Sequence, residues 1–277
     1  MQLERTFAPL SSRLVPPPPG DAPPFNLSIF VGKRLEQLRI GSVGASQFAQ
    51  DRWVDTWLGG LRGGLVVESG AFDAEQFSNS LFFEVARGWN CLLVEPNPSL
   101  QTRLLAVRRR CHVLRGGLSP TGKPSSFRFR MEGSLGGIDD RQSEDTQVPC
   151  YPLYHVLRAA GLSTTIDFWS LDTEGSEPDI LNTTRFGIHE SGVEVGILAV
   201  EHRASTRAAL HTILLARGFE RVSCHDTDDF YANREFHVRH GLPLPNYSRQ
   251  PSIKSTDTLV YGEMRKGRFR HMPCPRS

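Results

Sequence analysis

Four short, mostly apolar runs, each closing on a carboxylate, constrain this chain more than any other feature. Leu65-Val66-Val67 ends in Glu68, Cys91–Val94 in Glu95, Ile166–Leu171 in Asp172, and Val195–Val200 in Glu201. Between them, apolar residues recur at helical spacing: Phe77, Leu81, Phe82 and Val85; Leu100, Leu104 and Val107; Leu153, Val156, Leu157 and Ala160; Leu210, Ile213 and Leu214. Strands that are continuously apolar, rather than alternating, belong to a sheet covered on both faces. Their repeated alternation with helices predicts an α/β fold with a mostly parallel, doubly wound sheet. In such sheets ligands bind beyond the carboxyl ends of the strands. The four acids are therefore expected on one edge, facing a site. Ser125–Arg130 alternates polar and apolar residues and reads as an exposed strand or hairpin. Phe219–Ser223 and Thr258–Tyr261 read as the last strands, with a proline-bearing loop between them.

Seven of the nineteen prolines fall within residues 9–24, a density that favours polyproline II over a packed core. Three segments are expected: a Pro-rich disordered leader and linker over 1–45, one domain over 46–263, and a basic tail over 264–277. The remaining composition excludes several functions. Thirty-two Lys+Arg against thirty Asp+Glu give a net charge of +2, without the basicity of a nucleic-acid binder. Arg103, Arg108, Arg109, Arg110 and Arg115 read as a solvated face. That cluster and the tail leave peripheral contact with an anionic membrane surface open. No apolar run approaches the length of a membrane span, and the amino terminus lacks a secretory signal. Five scattered cysteines without a CxxC pair are expected to be reduced thiols, and a cytoplasmic location is expected, with an endomembrane-associated one as the alternative. Asn26-Leu27-Ser28, Asn182-Thr183-Thr184 and Asn246-Tyr247-Ser248 are glycosylation sequons, a triplet that also arises by chance.

Glu68-Ser69-Gly70-Ala71-Phe72-Asp73 joins the first run to the first helix. Small residues there let the backbone approach a ligand. The segment is not the GxGxxG of dinucleotide enzymes, because the further glycines are missing. Glu95, at the end of the next strand, can accept both hydroxyls of a ribose. Asp139-Asp140 beside Asp172 lacks a metal-ligand spacing rule. A solvated turn is the reading there, and no metal is expected.

Several stretches together resemble the FkbM-type methyltransferases, and most of all their Star-like branch. They are Ser46–Asp51, Val67–Asp73, Phe77–Leu81, Arg87-Gly88-Trp89, Leu92–Pro98, Cys150–Tyr154, Phe168–Glu177 and Val200-Glu201-His202. The resemblance implies a Rossmann-like class I methyltransferase fold and S-adenosylmethionine as cofactor. It places Glu68, Gly70, Ala71 and Asp73 beside the methionine and ribose portions of that cofactor, and Glu95, Pro96 and Asn97 beside the ribose. Asp172 and Glu174 would face the transferring methyl group. His202 is the candidate base for a hydroxyl acceptor, whether small molecule, glycan or lipid. Two departures stand out: Ala74 where relatives commonly carry Gly, with a methyl that is expected to crowd the cofactor or force a strained positive φ, and Ser69 for an aliphatic residue. Two functions follow: O-methyl transfer, or a catalytically silent methyltransferase-like domain in secretory or endosomal trafficking. The oligomeric state and the acceptor are left open.

Overall fold

The computed structural model describes residues 27–29, 46–107, 109–132, 135–139, 141, 147–224 and 227–244. In chain order the elements begin with β1 (Leu27–Ile29), α1 (Gln50–Trp57), β2 (Leu65–Ser69), α2 (Leu81–Arg87), β3 (Asn90–Glu95), α3 (Pro98–Ala106) and β4 (His112–Arg115). Next come β5 (Gly117–Leu118), β6 (Ser125–Arg128), β7 (Gln147–Tyr151), α4 (Leu153–Ala159), β8 (Thr165–Leu171) and α5 (Glu177–Thr183). The last are β9 (Glu194–Glu201), α6 (Arg207–Leu215), β10 (Phe219–Cys224), β11 (Asp228–Asn233) and α7 (Arg234–Arg239).

Eight strands form one sheet in the order β1-β4-β3-β2-β8-β9-β11-β10. The pairs β2–β3, β3–β4, β2–β8 and β8–β9 are parallel, as the four apolar runs predict. β11 runs antiparallel between β9 and β10, and β1 runs antiparallel on the β4 edge. The chain works outward from β2 to β4, then returns to β2's other side with β8. The crevice between β2 and β8 is therefore the switch in strand order where such sheets bind ligands.

Alternation along each strand explains why the runs are continuously apolar. Leu65, Val67, Leu92, Val94, Trp169 and Leu198 pack on one face against Val156, Leu157, Ile180, Leu181, Leu210 and Leu214 from α4, α5 and α6. Val66, Cys91, Leu93, Phe168 and Ile197 pack on the other against Val54, Trp57, Phe82, Phe83, Leu104 and Phe236 from α1, α2, α3 and α7. Most strand residues thus have a helix to bury against, so both faces select apolar side chains, while Asp167 of β8 is buried by accepting from Leu65 N–H at 2.9 Å.

Three expectations are corrected. First, β11 and α7 lie where a long loop was read, since Asp228-Asp229 precedes the apolar Phe230-Tyr231-Ala232 and hid the strand. Second, Leu27–Ile29, inside the expected linker, pairs with β4 as an edge strand. Third, the thiols are not all reduced. The β3–β4 register sets Leu92 opposite His112. One step earlier on each chain, Cys91 and Cys111 face each other with Cα atoms 4.7 Å apart and are joined by a disulfide. Their separation of 20 residues carries no motif, because only strand pairing brings them together. Cys224 is also disulfide-bonded. Cys150 is a buried free thiol, pushed up to about 12 by burial.

The reading of Ser125–Arg130 as an exposed strand or hairpin holds as a strand over Ser125–Arg128. β6 pairs antiparallel with β7, and β7 pairs with β5, as a three-stranded sheet inserted between β4 and α4. Phe129, Val148 and Cys150 form its own small core. The prolines of the leader, the tail arginines, Arg108, Asp140, Thr258–Tyr261 and the sequons at Asn26 and Asn246 lie outside the described residues. Among the described residues, no helix is long and apolar enough to cross a membrane.

Candidate functional site

A cavity of about 450 Å³ opens at the carboxyl ends of β2, β3, β8 and β9, within the usual size range of small-molecule sites. Glu68, Glu95, Asp172 and Glu201 all line it, joined by Glu174 and Asp228. Among its described lining residues none is Lys or Arg. The inserted sheet supplies one wall through Leu118 and Cys150, and the segment after β6 adds Phe129, Leu135 and Ile138.

The loop after β2 is shaped by close backbone approach. Gly70 has φ of +93°, and a Cβ there would lie 2.0 Å from the Asp172 carbonyl oxygen, so only glycine lets the β2 and β8 loops pass. Gly70 N–H and Ala71 N–H both donate to Val94 O, at 3.0 and 3.1 Å, tying the loop to β3. Phe72, Ala74 and Phe77 all adopt left-handed φ, 50°, 64° and 61°.

Glu68 is buried and holds this loop. Its carboxylate accepts from Ser78 Oγ at 2.8 Å, from Asn79 N–H at 2.6 Å and from Ser80 Oγ. Glu95 accepts from Phe72 N–H and Asn97 N–H, both at 2.8 Å. Burial dominates its titration and pushes its acid up to about 7, against the pull of those two donors. Each Glu95 oxygen takes one backbone donor, and a carboxylate oxygen can accept two.

Gly70, Ala71 and Pro96 line the cavity with these acids, whereas Asp73 and Asn97 do not. Asp73 Oδ1 accepts from the Glu75 and Gln76 amides, and its Oδ2 lies 2.9 Å from Arg103 Nη2. It stabilises the turn. Asn97 caps α3, accepting from Ser99 N–H at 3.0 Å. Both are local backbone partners, the commonest use of Asx residues at turns and helix starts.

At the far wall, the Asp172 side chain opens into the cavity while protein packs around it. Asp172 and Glu201 stand side by side at this wall, their carboxylate oxygens within 4.8 Å of one another. Burial first, then the Glu201 charge, raises Asp172 well above the ordinary carboxylate range. Burial, then the Glu174 charge, raises Glu201 to about 7. Both acids therefore hold their protons more tightly than ordinary carboxylates and titrate as a coupled pair. Glu174, with φ of 58°, is held by Arg203 Nη2, which donates to its carbonyl at 3.0 Å and lies 3.3 Å from its Oε2. Asp228 accepts from Gln50 Nε2 at 2.8 Å. Oxygens of Asp172, Glu174 and Glu201 lie within 4.8 Å of one another. Asp139 stands apart from the cavity lining and pairs with Arg141 at 2.9 Å.

His202 is corrected as candidate base. It is outside the cavity lining, with Nε2 3.5 Å from Asp229 Oδ1, and Asp229 also binds Arg207. Successive residues of an extended chain point oppositely, so Glu201 reaching the cavity turns His202 away from it. For Ala74 the strained positive φ is what the structure has, 64°, and only the crowding is corrected. Its methyl is fully buried in the core on the α2 face, outside the cavity lining, and cannot crowd a cofactor. Sequence reasoning placed Glu201 on the site's edge without giving it a role, and missed Phe72, Phe77, Asn79, Ser170 and Asp228. Glu201 carried a signal: it closes an apolar run as Glu68, Glu95 and Asp172 do.

The architecture and the acid-lined switch-point cavity are those of a Rossmann-like methyltransferase. A family model of the methyltransferase FkbM domain matches residues 68–221, over half of the chain, and the chain belongs to that family. A crystal structure of methyltransferase FkbM from Methylobacillus flagellatus KT is similar at 18% identity, covering 61% of this chain and 43% of that one, with a TM-score of 0.43. The present chain thus spans less than half the length of that relative. A TehB-like SAM-dependent methyltransferase from Corynebacterium glutamicum is 9% identical, covering 68% and 89% of the two chains at a TM-score of 0.37. A precorrin-6y C5,15-methyltransferase from Geobacter metallireducens is 11% identical, covering 73% and 95% at 0.38. A search among curated proteins found no match.

Proposed function

We propose that this chain binds S-adenosylmethionine in the switch-point cavity and transfers its methyl group to a hydroxyl of a small-molecule, glycan or lipid acceptor. The observation that carries the reading is the charge of the cavity: Glu68, Glu95, Asp172, Glu174, Glu201 and Asp228 line it, and no described Lys or Arg does. A dinucleotide or a phosphodiester needs cations at its phosphates. This lining suits a ligand with a sulfonium and an ammonium instead.

The residues present fit that cofactor. Glu95 retains acceptor capacity for the ribose hydroxyls. Asn79 Oδ1 is buried without a hydrogen-bond partner, while Asn79 Nδ2 donates to Ser170 Oγ, so an acceptor stands ready for an ammonium group. Pro96, Leu100 and Leu118 offer an apolar edge for the purine. When bound, the cofactor supplies an electrophilic methyl group. The chain's own contribution is to orient the acceptor and remove its proton. The Asp172–Glu201 pair takes that hydroxyl proton on its unprotonated oxygen, and Glu174 keeps the local field negative.

Calorimetric titration with S-adenosylmethionine and S-adenosylhomocysteine tests the reading. Heat from both is expected, as is retention of a labelled methyl group on hydroxyl-bearing acceptors. No heat from either would overturn it and leave the fold a non-catalytic role, such as the trafficking one.

A further inference from the structure

We propose that this chain matures in an oxidising compartment and carries an N-linked glycan on Asn182. The inference is independent of methyl transfer and replaces the expectation of a cytoplasmic location. It rests on cysteines and on an exposed sequon at separate places in the fold.

Cys91 and Cys111 are opposed on neighbouring parallel strands, fully buried and bonded. They lie at the amino-terminal end of β3 and β4, the end of the sheet away from the cavity. Cys224 is oxidised as well. Glutathione and thioredoxin keep ordinary cytosolic thiols reduced, whereas structural disulfides are characteristic of secretory compartments. Closing the bond removes two electrons and two protons from the Cys91 and Cys111 thiols. The acceptor is the disulfide of a thiol–disulfide oxidoreductase, which departs as a dithiol. Once folded, strand packing shields the bond from reductants.

A chain in that lumen meets the glycosylation machinery, and Asn182-Thr183-Thr184 is an acceptor triplet. Asn182 is exposed near the carboxyl end of α5. Arg217 Nη2 donates to its carbonyl at 2.9 Å and lies 3.3 Å from its Oδ1. Its Nδ2, the atom to be modified, makes no hydrogen bond among the described residues. Ile180, two residues earlier, lines the cavity. Two residues turn a helix by about 200°, so a glycan on Asn182 points away from the cavity mouth. In the transfer an Nδ2–C1 bond replaces one amide N–H, and the sugar C1–O bond to a lipid pyrophosphate breaks. The lipid pyrophosphate leaves and the amide proton passes to solvent.

The test takes the protein from its own cells, blocks thiols with N-ethylmaleimide at lysis and digests it without reduction. One portion is treated with peptide N-glycosidase in heavy-oxygen water. The expected result is a cross-linked peptide pair joining Cys91 to Cys111, maleimide on unfolded Cys150, and isotopically marked aspartate at position 182. In secreted full-length chain, Asn182→Gln should lose one glycan's worth of gel mobility while remaining folded. Maleimide on Cys91 and Cys111, or unmodified asparagine at 182, would overturn the proposal.

Discussion

Arg109 Nε lies 2.6 Å from Glu84 Oε2, with both side chains 2% exposed. This buried ion pair joins the segment before β4 to α2. The rest of the guanidinium binds the loop that walls the cavity, donating to Ala74 O at 2.8 Å and to Ser78 and Ser80 Oγ at 2.9 Å each. Those serines also hold Glu68, so one arginine supports the acid at the end of β2. The expectation of a solvated arginine face is wrong for this member of the cluster.

Arg109→Ala leaves Glu84 buried without its partner and frees the loop, which should cost about 3–5 kcal/mol in urea unfolding. Arg109→Lys keeps the charge without the planar fork, so most of the loss should remain. Arg103→Ala is the contrast. Its side chain is 61% exposed in its pair with Asp73, and a change below about 1 kcal/mol is expected. Equal effects at 103 and 109 would refute this ranking.

Ala74 pairs a left-handed backbone with a fully buried methyl. Ala74→Gly should recover about 1 kcal/mol of backbone strain and lose a comparable amount, about 0.8 kcal/mol, for the buried methyl. The two nearly cancel, so stability and cofactor affinity should stay close to wild type. Ala74→Val adds a β-branch at positive φ in a packed core, where overpacking alone costs about 1–3 kcal/mol. Thermal unfolding of the two variants checks this: a strongly destabilised glycine variant would show that the methyl matters more than the strain.

How legible all this was depends on the range of the interaction. The parallel strands and the shared edge of Glu68, Glu95, Asp172 and Glu201 were readable, because burial on two faces writes itself into local composition. The roles of Asp73 and Asn97 were not. Both lie in loop motifs beside true cavity residues, yet each serves a backbone amide two residues on. His202 was misread because adjacency in sequence means opposite faces in a strand. Arg109 and the Cys91–Cys111 bond depend on contacts between elements 20 or more residues apart, which no single window of sequence displays.

Glu95 gives a pH signature of unusual sign for a carboxylate. Its folded value is about 7 against an ordinary 4.5. Below 4.5 it is protonated folded or unfolded. Between 4.5 and 7 only the folded state keeps the proton, so stability falls as pH rises through that window. The cost is of order 3 kcal/mol. Glu95→Gln should therefore flatten the loss of stability between pH 4.5 and about 7, measured by denaturant unfolding. Ribose hydroxyls favour the charged form, so S-adenosylmethionine should bind more tightly as pH rises through about 7. Glu95→Ala should weaken binding by about ten- to a hundredfold. A pH-independent affinity in the wild type would reject Glu95 as the ribose acceptor.

The Asp172–Glu201 pair makes the proposed base testable without knowing the acceptor. Both acids are raised, and the Glu201 charge stands second only to burial in raising Asp172. Removing that charge with Glu201→Gln should lower the Asp172 titration, which NMR of labelled side-chain carboxyls reads directly. Wild type should show two coupled steps, with Glu201 near 7, and the variant a single step at lower pH. Once an acceptor is found, the rise of the transfer rate with pH should move the same way in Glu201→Gln. His202→Gln, outside the cavity, should leave that rise in place. Were the rise to vanish in His202→Gln and persist unshifted in Glu201→Gln, the proton would be leaving by the histidine and the carboxyl pair would not be the base.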